Sequence, residues 1–234
     1  MLNFIDISSH QADLNLVAVS NSIQGVIVKA TQGTSYVNPY CDRHYQQAKG
    51  ANLLRGFYHF AGSADPLAEA AFFYRNTMGY LHDGIPVLDW EGNQPVDWVN
   101  SFVRQFHNLT GVWCWVYANP WRFNQGGVEP NCARWVAAYP EVAHPTFAQA
   151  ASWNCPSADG NVVAWQFCSD GRLQGYGYNL DCSVYYGDRE SWLRYADSES
   201  LDGGIAGSDG GNVGSGASAE TLENENYKIT IERK

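Results

Sequence analysis

Gly84-Ile85-Pro86-Val87-Leu88-Asp89-Trp90-Glu91 is the stretch around which the chain is organised. It has the pattern of a strand: a compact apolar run, β-branched at Ile85 and Val87, that ends abruptly in two carboxylates. Side chains alternate along a strand, so Asp89 and Glu91 fall on one face and Trp90 on the other. Two residues of strand rise about 6.5–7 Å, which sets the two carboxylates side by side over one small group of a substrate. Burying such a pair costs desolvation and mutual repulsion, and a chain needing only a core would carry Val or Ile there. The competing reading is a charged strand end that simply meets solvent.

Working outward, further strands are expected at 3–8, 25–30, 53–60, 112–117, 134–140, 161–168 and 180–185. Helices are expected at 39–49, 66–78, 96–109 and 189–195. Asp65-Pro66 supplies an N-cap and a proline at the first helical position, Asn38-Pro39 opens the helix before it, and Gly50, Gly79 and Gly111 mark the stops. Early strands alternate with helices, whereas the later strands crowd together with loops between them. That order gives an α/β fold: a modified TIM-type barrel whose last third has lost its helices. A doubly wound open sheet is the alternative, but it calls for a glycine-rich turn after the first strand, and Ser8-Ser9-His10 is not one. In such barrels chemistry sits where the strands end, and Asp6, Asp89, Glu91 and Asp181 lie at or near strand ends.

Composition narrows the function. In 234 residues, nine Trp and 14 Tyr exceed what packing usually asks for, and they suit stacking on sugar rings or other flat ligands. A formal net charge of −10 argues against a nucleic-acid footprint and against a polybasic membrane anchor. No apolar run approaches the roughly 18 residues of a membrane helix, and no basic start leads into an apolar signal core. Six cysteines without a Cys-x-x-Cys pair support neither a disulfide scaffold nor a zinc ribbon, and Cys114 and Cys168 read as buried thiols. The histidines lack metal-ligand spacing, and His59 reads as a hydrogen-bonded structural residue. No phosphate loop, dinucleotide fingerprint or serine elbow appears, so neither metal nor cofactor is expected. Residues 1–196 form the expected catalytic barrel; residues 197–234, acidic and rich in Gly and Ser, are expected to be a flexible linker or tail. Within that tail, 227–231 alternates like a strand but is too short to fold alone.

Four carboxylates brought to one barrel mouth by three distant segments suit acid-assisted cleavage of a glycosidic bond. The leaving oxygen needs a proton donor, and the cationic transition state needs negative charge nearby. Tyr58, Trp90, Tyr117, Tyr139 and Trp165, near the same strand ends, are candidate sugar platforms, with Lys29 as a further substrate contact; Trp115 and Trp135 read as core.

Phe4-Ile5-Asp6-Ile7-Ser8-Ser9-His10, Gly56-Phe57-Tyr58-His59-Phe60, Pro86-Val87-Leu88-Asp89-Trp90-Glu91 and Trp165-Gln166-Phe167 with Asp181 resemble the family 25 glycoside hydrolases, the Chalaropsis-type lysozymes common as phage endolysins. The resemblance covers residues 2–195. It implies a barrel of five β/α units followed by three strands, and cleavage of the β-1,4 bond between N-acetylmuramic acid and N-acetylglucosamine in bacterial peptidoglycan. It implies Glu91 as general acid, Asp89 as its partner carboxylate, and Asp6 and Asp181 as further acids at the mouth. Asp89 either polarises the substrate's own 2-acetamido group, or Asp6 or Asp181 activates water for direct displacement. The setting it implies is a phage lysin made in the host cytoplasm without an export signal, or a secreted enzyme whose signal has been removed, with a possible C-terminal wall-binding module. A non-catalytic wall-binding barrel is the alternative from another class. A cysteine amidase using Cys41 or Cys114 lacks a thiol at an exposed helix start beside a basic group.

Overall fold

The barrel is built from β1 (Leu2–Ile7), β2 (Gly25–Gln32), β4 (Leu54–Phe60), β5 (Ile85–Asp89), β6 (Trp115–Ala118), β7 (Arg134–Ala137), β8 (Val162–Gly171) and β9 (Leu180–Tyr185), with a two-residue β3 (Tyr36–Val37) folded back on β2. This computed structural model describes residues 1–197 and the strands at 220–224 and 227–231. The strand order is β1-β9-β8-β7-β6-β5-β4-β2-β3, and a further β1–β2 pairing closes the ring. Neighbours from β1 through β2 and β4 to β8 run parallel, while β9 is antiparallel to both β8 and β1. Five strands are each followed by a helix: α1 (Leu16–Val19), α2 (Cys41–Gly50), α3 (Pro66–Thr77), α4 (Val96–Thr110) and α5 (Pro120–Phe123). Only the four-residue α6 (Phe147–Ala150) interrupts the last three strands, and α7 (Arg189–Ala196) closes the barrel chain. The expected modified barrel is the observed one.

Local signals account for most boundaries. Asp65 caps α3 by accepting from the Leu67 and Ala68 amides at 3.0 Å each, with Pro66 in the first turn. Gly111 ends α4 in the left-handed region at φ +73°, where a side chain would be strained. The α2 start differs from expectation: the helix opens at Cys41, not at Pro39. Asn38 does not cap it, because its side chain donates to the Lys29 carbonyl (2.7 Å) and accepts from the Tyr40 amide (3.1 Å). The residue fastens the turn to β2 instead.

Strand alternation divides the apolar residues into two cores. Ile5, Val26, Val28, Phe57, Leu88, Val116, Val136, Trp165, Phe167 and Val184 point outward, into the layer beneath the helices. Phe4, Ile27, Leu54, Tyr58, Ile85, Val87, Trp115, Tyr117, Trp135, Ala164 and Tyr185 point inward and fill the barrel. Where backbones crowd inside, only glycine fits: a Cβ on Gly56 would lie 2.9 Å from Ile27 Cγ1. The fully buried Trp192 of α7 plugs the end of the barrel where the parallel strands begin. Its ring meets Phe4, Trp115 and Tyr185 edge-on at 5.3–5.4 Å, and its indole N–H donates to the Arg55 carbonyl at 2.9 Å.

Contacts divide the chain into Met1–Asp202 and Gly203–Lys234. In the second unit, β10 (Glu220–Asn224) and β11 (Tyr227–Ile231) form an antiparallel pair, so the strand-like alternation at 227–231 does lie in a strand. Of the linker or tail expected over 197–234, all but Asp197 and these two strands lies outside the described residues.

The plug sets a stability prediction. Trp192→Ala is expected to cost about 3–5 kcal/mol by opening a cavity in the inner core. Leu193→Ala, one residue on and 42% exposed, should cost well under 1 kcal/mol. Urea unfolding followed by tryptophan fluorescence and circular dichroism measures both.

Candidate active site

At the other end of the barrel the inward-facing column changes from apolar to polar. Below lie Phe4, Ile27, Val87, Trp115, Ala164 and Tyr185; above, on the same strands, stand Asp6, Lys29, Asp89, Tyr117, Gln166 and Asp181. The upper six line a cavity with Ser8, His10, Tyr58, Phe60, Glu91, Trp135 and Tyr139. Asp6, Asp89, Glu91 and Asp181 therefore meet in one pocket. Asp181 belongs there because β9 runs against its neighbours, so its first residues reach the mouth that the parallel strands reach with their last. Asp6 and Asp181 are direct partners across the β1–β9 ladder, which sets their Cα atoms about 4.5–5.5 Å apart.

Crowding shows in the titration of these groups. Burial, then the facing Asp181, hold the Asp6 carboxyl well above the usual carboxylate range. Burial and then Glu91 push Asp89 up, with Lys29 opposing. Asp181 is pushed up to about 6 by burial and by Glu91. Glu91 itself, two residues beyond the end of β5, is exposed at the rim, while Asp89 is 7% exposed. Buried Asp89 Oδ1 has no hydrogen-bond partner among the described residues. Lys29 donates to Gln32 at 2.7 Å and lies 4.5 Å from the Phe60 ring centroid; burial lowers its pKa against the pull of Asp89 and Glu91.

Of the expected aromatic platforms, Tyr58, Tyr117 and Tyr139 line the pocket and Trp165 does not. Trp165 lies on the outer face of β8, its indole N–H bonded to the Ala138 carbonyl at 2.7 Å. Trp90 is also turned away, donating to the Gln94 carbonyl at 2.9 Å with Arg122 over its ring. The alternation that aims Asp89 and Glu91 inward requires this of Trp90, and the same logic applied to Phe167 and Trp165 leaves Gln166 as the inward residue of β8. Five pocket residues thus escaped sequence reasoning: Ser8, His10, Phe60, Gln166, and Trp135, whose indole N–H donates to Ser183 Oγ at 3.2 Å. Strand parity was the available signal for Phe60, Trp135 and Gln166, whereas Ser8 and His10 lie beyond the end of β1. His59 is the structural residue expected: it faces outward, bonded to Thr31 at 2.8 Å and to buried Glu69 at 2.9 Å. Among the described residues no three His, Cys, Asp or Glu side chains are grouped so as to hold a metal.

The acid cluster sets a pH-dependent stability. Asp181 titrates at about 6 when folded, against an ordinary 3.8, so between these values the folded chain binds more protons than the unfolded one. Stability from this group is therefore lost as pH rises from about 4 through 6. Asp181→Asn is expected to stabilise the fold by on the order of 2 kcal/mol at pH 7 and by almost nothing at pH 4. Thermal unfolding at the two pH values checks both.

Comparison with known proteins agrees with this architecture. Residues 5–176 match the family model "Glycosyl hydrolases family 25". An N,O-diacetylmuramidase from Chalaropsis is 36% identical over 136 residues, which are 49% of this chain and 64% of that protein. The autolytic lysozyme of Clostridium acetobutylicum is 28% identical over 189 residues, 77% of this chain and 55% of that protein. The chain thus spans between about half and two thirds of the length of these relatives. A family 25 lysozyme from Aspergillus fumigatus superposes with a TM-score of 0.68 at 26% identity, over 83% of this chain and 98% of that one. The chain belongs to glycosyl hydrolase family 25.

Proposed function

We propose that the protein is a muramidase that hydrolyses the β-1,4 bond between N-acetylmuramic acid and N-acetylglucosamine in bacterial peptidoglycan. The observation that carries this reading is the pairing of an exposed rim carboxyl, Glu91, with the buried carboxyl Asp89, whose Oδ1 faces no protein donor. Tyr58, Tyr117 and Tyr139 flank the same pocket and give a sugar ring aromatic surfaces to rest on. The relatives' names, a diacetylmuramidase and an autolytic lysozyme, support the same substrate.

In the mechanism we infer, Glu91 gives its proton to the glycosidic oxygen as the bond to the anomeric carbon breaks. The substrate's 2-acetamido carbonyl oxygen attacks that carbon from the opposite side, while its N–H donates to Asp89 Oδ1. A buried acceptor with no other partner stabilises the positive charge that develops on the amide. Water then opens the cyclic intermediate and returns a proton to Glu91, so the net change is hydrolysis of one bond. The unpartnered Asp89 oxygen is what supports this route over direct displacement by water activated at Asp6 or Asp181. A phage-lysin setting rests on the sequence resemblance, and lysis of an expressing host only when a membrane pore is supplied would support it.

Glu91→Gln is expected to lower kcat by about 10³-fold or more with the fold intact, and Asp89→Asn to lower it by about 10²-fold. Borohydride reduction of digested walls and mass analysis of the fragments reads the product. Reduced N-acetylmuramic acid at the new ends supports the proposal. Reduced N-acetylglucosamine, free amino groups without new reducing ends, or near-normal turnover by Glu91→Gln overturns it.

A further inference from the structure

Gln166 is buried at 2% exposure on the inward face of β8, and its amide is used at both ends. Its Oε1 accepts from the Tyr117 hydroxyl at 2.6 Å and from the Tyr139 hydroxyl. Its Nε2 donates to Asp6 Oδ1 at 2.7 Å. An amide can be turned end for end, but the reverse orientation would set an oxygen against Asp6 and ask both phenols to accept. With Asp6 charged its carboxylate only accepts, and the observed orientation is then the one that satisfies Asp6 and both phenol donors together. We propose that Gln166 is a positioning residue of this site: the two phenols lock its amide so that its N–H fixes Asp6 and joins that carboxyl to the tyrosines of the sugar platform.

The meaning of the coupling rests on the muramidase reading; the coupling itself does not. Asp6 faces Asp181 across the ladder, and two such close carboxyls repel when both are charged. The Gln166 donor favours charge on Asp6, and because Oδ1 is taken as an acceptor, any proton Asp6 carries resides on Oδ2. Tyr139, half-exposed at the rim, is held at its hydroxyl by the same amide. Movement of the platform and the charge state of Asp6 are thus tied to one side chain.

The test follows the Asp6 carboxyl by carbon-detected NMR titration in the wild type, in Gln166→Leu and in Gln166→Glu, alongside kcat and KM on purified walls. Gln166→Leu keeps the volume and removes both the donor to Asp6 and the acceptor of the two phenols; Asp6 is expected to titrate at higher pH, with kcat/KM down about 100-fold. Gln166→Glu should recover activity only on the acid side, where the introduced carboxyl is protonated and its O–H donates to Asp6. Replacing Tyr117 and Tyr139 together by Phe unlocks the amide and should move Asp6 in the same direction. An Asp6 titration unmoved in Gln166→Leu, or a wild-type pH profile in Gln166→Glu, overturns the proposal. If Gln166→Leu fails to fold, the Gln166→Glu profile decides. Walls left without new reducing ends by the wild type would sink the muramidase reading, while the Asp6 titration would still judge Gln166.

Discussion

Like charges held close inside a rigid ring are the constraint on which this molecule turns. Asp6, Asp89 and Asp181 each sit where a barrel of this size would ordinarily carry an apolar filler, and each is pushed toward its neutral form. A looser scaffold would relieve the repulsion by moving one strand. Closure between β1 and β2 prevents that, since every strand of the ring is paired on both sides. The inner aromatic core does the same from below, where Phe4, Trp115, Tyr185 and Trp192 pack ring against ring. Stability is thus concentrated at one end of the barrel and spent at the other, as a site of pre-placed charge requires.

Much of this was legible because strand parity and strand ends carry both fold and chemistry. Ile85-Pro86-Val87-Leu88 followed by Asp89 and Glu91 gives a buried strand and its acidic terminus in one reading. Asp6 and Asp181 are likewise visible as carboxylates beside apolar runs. What the local pattern does not show is direction. That Asp181 opens its strand while Asp6 and Asp89 stand near the ends of theirs makes sense only once β9 is seen to run backwards.

The misplacement of Trp165 has a related cause. Residue type favoured the indole as a sugar platform, yet parity with outward-facing Phe167 assigns Trp165 to the layer under the helices and the pocket to Gln166. Tryptophan is a frequent ligand surface and an equally frequent core residue, and composition cannot separate the two. The start of α2 failed for a similar reason. Asn38 has the chemistry of a cap, but the Lys29 carbonyl on the adjacent strand competes for its side chain and wins.

Trp192 and the rings packed against it seal the barrel at the end away from the acids. Whatever reaches the four carboxyls therefore enters and leaves by a single mouth, and one occupant bars the next until it departs.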